Sequence, residues 1–178
     1  AVGMSSERGE NWRDYLLAKG EGRINFISVG SRPGEVFAAA SDGLYYRAEE
    51  AVAWRRIFKG RNYLEKDCLA VRVFSFAIFL GTRQGLFISQ DHGRSWQRAE
   101  GDLGKGAILA IATCLQDEKV IFIAGSEGVF RSRDQGKSWE KIFISRGQEL
   151  ESSDQDDSAG REIKNSQIRY ISVDSSES

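Results

Sequence analysis

Histidine, proline and cysteine are nearly missing from this chain of 178 residues: one histidine, His92, one proline, Pro33, and two cysteines, Cys68 and Cys114. Two thiols are too few for a disulfide framework, and with a single histidine they make no metal-ligand cluster, so no metal or other cofactor is expected. Neither thiol has a sequence neighbour that would activate it, and both read as small core or strand-end residues. A dominant charge is missing too. The net charge is -1 and the pI about 6.0, and the 17 arginines and 8 lysines are dispersed among 26 acids, which argues against a nucleic-acid surface. No run of eighteen apolar residues occurs, and the first residues, Ala1 to Glu7, lack the basic and then apolar regions of a signal peptide, so the expectation is a soluble chain without a membrane span.

What is abundant is glycine, nineteen residues, which suggests many tight turns. The length of 178 residues suits one structural unit. The four tryptophans fall on one period, with Trp12, Trp54, Trp96 and Trp139 separated by 42, 42 and 43 residues. Ser89-Gln90-Asp91-His92-Gly93-Arg94-Ser95-Trp96 and Ser132-Arg133-Asp134-Gln135-Gly136-Lys137-Ser138-Trp139 both read S-x-D-x-G-x-S-W. Ser5 to Trp12 keeps the pattern with Glu7 for Asp, and Arg47 to Trp54 keeps only the acid and the tryptophan.

Ahead of each box lies a glycine turn between short apolar runs: Ser41-Asp42-Gly43-Leu44, Arg83-Gln84-Gly85-Leu86 and Ser126-Glu127-Gly128-Val129. With the runs before them, each repeat holds four short strands, A to D, the number and size of a propeller blade. The expected fold is therefore all-β, with three complete four-stranded antiparallel blades and partial blades at the ends. Residues 1–17 supply strands C and D of a partial blade, 18–58, 59–100 and 101–144 are complete blades, 145–167 is an acidic mobile loop, and 168–178 begins a further blade. The second blade tightens its first turn, Val73 to Phe76, for which no functional reason is evident.

The two intact boxes and the G-[LV]-[FY] hairpins resemble the Asp-box, or bacterial neuraminidase repeat, β-propellers, a superfamily of sialidases, xyloglucan-active glycosidases, sortilin-type receptors and photosystem II assembly factors. The pattern is nearest to the sortilin-like and assembly-factor-like bacterial branches. The resemblance implies a structural box: Ser89, Asp91, Gly93 and Trp96, and Ser132, Asp134, Gly136 and Trp139, tie the C-to-D turn and pack between sheets. One such carboxylate per blade cannot converge on a metal or a reaction centre. His92, at an exposed turn position, reads as solvated rather than as a base.

Strand parity puts the A-to-B and C-to-D turns on one face and the B-to-C and D-to-A connections on the other. The resemblance implies function on the second face, where the candidates for binding are Asp42, Arg83 and Glu127, with Lys59, Arg61, Tyr63 and Glu65 from a D-to-A connection. Arg83 is preferred because its planar donor fork suits a carboxylate on a partner. Ordinary turn and surface roles are the competing reading for all of them. No catalytic constellation is visible: Arg32-Pro33 lacks the surroundings of a sialidase arginine, and no carboxylate pair is fixed. The expected function is thus a non-enzymatic scaffold for a protein partner. The alternative is part of a glycoside hydrolase acting on a glycan, its catalytic residues partly outside the chain. The resemblance favours an extracytoplasmic, periplasmic or secreted setting, and open blade ends favour self-association.

Overall fold

Short runs of β-branched and aromatic residues, each cut by a glycine turn after about five positions, dictate strand after strand here. The computed structural model describes residues 2–5, 9–10, 13–15, 22–49, 51, 53–114 and 117–143. Trp12, the acidic segment 145–167 and the strand expected over 168–173 lie outside them. A hairpin comes first, β1 (Val2–Met4) against β2 (Arg13–Tyr15). Three four-stranded antiparallel sheets follow, each a meander in chain order. The first is β3 (Ile24–Val29), β4 (Val36–Ala40), β5 (Gly43–Arg47) and β6 (Arg55–Phe58). The second is β7 (Cys68–Val73), β8 (Ile78–Thr82), β9 (Gly85–Ser89) and β10 (Gln97–Arg98). The third is β11 (Ile108–Thr113), β12 (Ile121–Gly125), β13 (Gly128–Ser132) and β14 (Glu140–Phe143). The only helical elements among the described residues are α1 (Tyr63–Lys66) and a 3-10 turn at Gly101–Gly104, both between sheets. The chain is nearly all β, and its sheets are blades of a partial β-propeller.

Each blade repeats the same irregularity. Strand A slips by one residue against strand B after Ile24, Cys68 and Ile108, leaving Asn25, Leu69 and Leu109 as the bulged residues. A bulge bends its strand and increases the local twist. Its recurrence at one place gives all three sheets the same local distortion.

The strands at the centre of the first two blades are buried on both sides, so they read as continuous apolar runs rather than alternating ones. Period two still decides which neighbour each side chain meets. On β8, Ile78 and Leu80 turn toward the first blade and pack with Phe37, Ala39, Leu44 and Phe58. Phe79, between them, turns the other way and packs with Ile108, Ile121, Ile123 and Phe130 of the third blade. Burying one such side chain contributes roughly 1.5–3 kcal/mol. Gly81 makes room at the second joint, since a Cβ there would come within 2.7 Å of Ile108 Cγ2.

The strand-A positions differ sharply along the array. Val71 of β7, with a blade on either side, is 1% exposed, whereas its counterpart Ile27 in β3 is 47% exposed and Val29 is 74% exposed. At the far end Ile142 and Phe143 of β14 are exposed. Apolar blade surface thus remains open at both ends of the described residues.

Candidate functional site

The turn between strands C and D holds itself together. In the second blade the Asp91 carboxylate accepts from the N–H of Arg94 (3.0 Å) and Ser95 (2.8 Å), from Ser95 Oγ (2.6 Å) and from Ser89 Oγ (2.8 Å). In the third, Asp134 accepts from the N–H of Ser138 (2.9 Å), from its Oγ (2.6 Å) and from Ser132 Oγ (2.8 Å). The serine at the head of each turn, Ser89 or Ser132, accepts the N–H of Gly93 or Gly136, both at 2.8 Å. Those glycines have φ of 81° and 85°, and the exposed His92 and the Gln135 before them also sit at positive φ. At the N-terminus Gly9, with φ 90°, donates to Ser5 Oγ in the same way at 3.0 Å.

These bonds favour the ionised carboxylates. Asp134 is drawn from its ordinary value near 3.8 to about 2 by the hydroxyl and N–H of Ser138 and by Ser132, and Asp91 is drawn lower still by Ser95 and Ser89. A carboxylate whose folded value lies below its unfolded one contributes fully above the unfolded value and loses that contribution as pH falls through the folded one. Denaturation midpoints of the chain are therefore expected to fall between about pH 4 and pH 2, and the double variant Asp91→Ala, Asp134→Ala to fall less steeply over that window. Urea titrations of both proteins at pH 5, 3 and 2 measure the difference; parallel slopes would remove these two groups from the pH dependence.

The tryptophans that close the turns are not equivalent. Trp96 meets Phe58 edge-on at 5.3 Å and donates its indole N–H to Ile57 O of the preceding blade at 3.0 Å. Trp139 donates to Gly136 O in its own turn at 3.1 Å. Trp54 is buried, and its indole N–H has no hydrogen-bond partner among the described residues.

The opposite face carries the candidate binding residues. Aligning the blades on the turn glycines Gly43, Gly85 and Gly128 places Asp42, Gln84 and Glu127 in one column and Ser41, Arg83 and Ser126 in the column before it. Arg83 therefore stands where the other blades have serine, and this explains its contacts. Ser41 Oγ and Ser126 Oγ accept the N–H that opens strand A, from Arg23 at 2.9 Å and from Ala107 at 3.0 Å. In the second blade the same position is closed by Arg83 Nε on the Asp67 carboxylate, with the Arg83 N–H on Asp67 O at 3.1 Å. Asp67 also accepts from Asn25 Nδ2 at 2.9 Å, and Asn25 Oδ1 accepts from Arg23 Nε at 3.1 Å. A relay Arg23–Asn25–Asp67–Arg83 therefore crosses from the first blade to the second, with the guanidinium of Arg83 half exposed at one end and the exposed Arg23 at the other.

The remaining carboxylates of this face are engaged to different degrees. Asp42 Oδ2 accepts from Tyr45 OH at 2.7 Å and lies 3.8 Å from Arg56 Nη1, while its buried Oδ1 has no hydrogen-bond partner among the described residues. Burial, followed by the hydrogen bond to Asp42, pushes the Tyr45 hydroxyl up. Burial also pushes the Cys68 thiol up, with Asp67 and Asp42 adding to it, which keeps it a protonated core residue. Glu65, a candidate from the sequence, is buried and fastens α1: its Oε2 accepts the N–H of Arg61 at 2.7 Å while Asn62 Oδ1 caps the helix through Leu64 and Glu65. Arg98 reaches Glu65 Oε1 at 3.7 Å and Gln84 O at 2.6 Å. Arg61, Tyr63 and Glu127 are exposed, and Ser126 Oγ donates to Glu127 Oε1 at a long 3.4 Å.

The sequence candidates therefore fall into two groups. Arg83 and Asp42 belong to networks that cross strands or blades; Arg61, Tyr63 and Glu127 stand on the surface of the same face. Asp67, Asn25, Arg23 and Arg98 were not among them, although the serine-to-arginine exchange at position 83 pointed to a compensating acid nearby. Among the described residues no three His, Cys, Asp or Glu side chains converge as metal ligands, and no helix is long and apolar enough to cross a membrane.

No family model matches this chain, and no curated protein does. Solved structures match in shape. An ancestral GH74 enzyme aligns with a TM-score of 0.57 at 23% identity, over 68% of this chain and 18% of its own. YCF48 from Cyanidioschyzon merolae aligns with a TM-score of 0.51 at 20% identity, over 66% of this chain and 39% of its own. YCF48 bound to D1 peptide aligns with a TM-score of 0.54 at 18% identity, over 74% of this chain and 43% of its own. The chain thus spans under half the length of each of these propellers, and at these identities the likeness is one of fold.

Proposed function

We propose that this chain is a non-enzymatic β-propeller scaffold that holds a protein partner on the face formed by the B-to-C turns and D-to-A connections, with the S-x-D-x-G-x-S-W turns acting as structural Asp boxes of the bacterial neuraminidase repeat type. The observation that carries this reading is the division of labour on that face. Its donors, the Arg83 guanidinium and Arg23, are presented to solvent, whereas Asp42, Glu65 and Asp67 already accept hydrogen bonds from the chain's own groups. A glycoside hydrolase needs two carboxyl groups facing one bond, one of them free to take up and release a proton. A face of presented arginines whose acids, Glu127 apart, are already hydrogen-bonded suits recognition of a partner's carboxylates instead. The fold-level likeness to a propeller solved with a bound peptide agrees with this assignment.

The variant that tests it is Arg83→Ser, because serine restores at this position the residue that closes the same joint in the other two blades. Binding of a fluorescent peptide with an acidic, free C-terminus is expected to weaken about tenfold, equivalent to about 1.4 kcal/mol, with the far-ultraviolet dichroism unchanged. Equal binding by both proteins would sink the role of Arg83. Hydrolysis of aryl sialosides or β-glucan oligosaccharides by the chain, lost in Asp42→Ala or Glu127→Ala, would replace the scaffold reading with the glycosidase one.

A further inference from the structure

Among the described residues, no strand covers the third blade on the side where the first and second are covered. Each strand A packs on strands A and B of the blade before it: β7 lies against β3 and β4, and β11 against β7 and β8. By the same rule the next strand A belongs on β11 and β12. No described strand lies there, and Phe122, the equivalent of Phe79, is only half-buried while Ile142 and Phe143 are exposed. The chain itself continues beyond this point, to Ser178.

Within that continuation stands a near copy of β3. Ile24-Asn25-Phe26-Ile27-Ser28-Val29 and Ile168-Arg169-Tyr170-Ile171-Ser172-Val173 are identical at four of six positions, with an aromatic at a fifth. No other six-residue stretch of the third blade's continuation alternates in this way, since residues 145–167 are polar and acidic. Reach is no obstacle. Residues 59–67 and 99–107 suffice to carry strand D to the next strand A in the described blades, and residues 144–167 are a longer tether.

We propose that residues 168–173 are strand A of a fourth blade and dock on the open face of the third, against β11 and β12. Ile168 then stands at the strand-A position that Cys68 and Ile108 hold in β7 and β11. Ile171 takes the strand-A place of Val71 and Ile111, each of which packs on the blade before it. The occupant of the face is therefore this chain's own C-terminal segment rather than a second copy.

Amide hydrogen exchange on the whole chain, read by mass spectrometry, tests this. Peptides covering 168–173 are expected to exchange at least about a hundredfold slower than a free chain, while those covering 149–158 exchange at the free-chain rate. Ile171→Asp should erase that protection and increase binding of an apolar-surface dye, with β8 still protected as proof that the first three blades remain folded; Asp156→Asn should change neither. Free-chain exchange over 168–173 in the unmodified protein overturns the proposal. Protection that vanishes on roughly fiftyfold dilution, together with a dimer seen by light scattering, overturns it in favour of a second copy.

Discussion

Replacing Phe79 by alanine is expected to lower the unfolding free energy by about 3–5 kcal/mol, the usual range for removing a buried phenylalanine. Phe79 is 1% exposed and lies at the joint between the second and third blades. Its ring meets Phe74 at 5.1 Å, Phe76 at 6.3 Å and Trp139 at 6.4 Å, all edge-on, so deletion removes several aromatic contacts along with the buried area. The site cannot close up cheaply, because its surroundings are sheets whose spacing is set by the other side chains of the same joint. Guanidinium titration followed by tryptophan fluorescence gives the number, and Phe79→Leu should recover a large part of it. A loss below about 1 kcal/mol for the alanine variant would mean that the two blades are not held together through this cluster.

Gly85→Ala is the second large effect. The glycine that starts β9 has φ 115°, where an L side chain is strained, and a Cβ on it would stand 2.7 Å from Gly104 O and 2.9 Å from Gly104 C. Backbone strain of about 1–3 kcal/mol adds to overpacking of about 1–3 kcal/mol, and the obstructing atoms are main chain, which cannot rotate away. Gly101→Ala separates the two terms. Its φ is 63° and a Cβ there meets nothing within 4 Å, so only the conformational cost of about 1–2 kcal/mol is expected. Urea midpoints for the two variants should therefore differ clearly; equal losses would show that the segment carrying Gly104 gives way.

The fold was legible because a propeller writes its repeat into the chain. The S-x-D-x-G-x-S-W turns, the glycine hairpins and the spacing of the tryptophans located every strand of the three described blades, and parity alone separated the two faces. The candidate site was legible only as a set of turns. That Glu65 is buried follows from a local cue, Asn62 three residues before it at the start of a short helix, but its second tie, to Arg98, joins residues from opposite ends of one blade and leaves no mark in the sequence. The pairing of Arg83 with Asp67 is similar. It becomes visible only when the blades are aligned on their glycines, since a serine in two blades and an arginine in one are a covarying exchange with Arg23, Asp67 and Ala107 at the start of strand A.

The three box tryptophans also imply an order in which the array comes apart. Among the described residues Trp96 is the one whose indole N–H bonds to the preceding blade, at Ile57 O, while Trp139 packs on Phe79 of the preceding blade but donates within its own turn, and the Trp54 N–H holds nothing. A stack of repeats fails at its weakest interface rather than everywhere at once. Pulled from its two ends, the array should yield first at the seams that no indole hydrogen bond crosses, leaving the first and second blades as the last pair to separate.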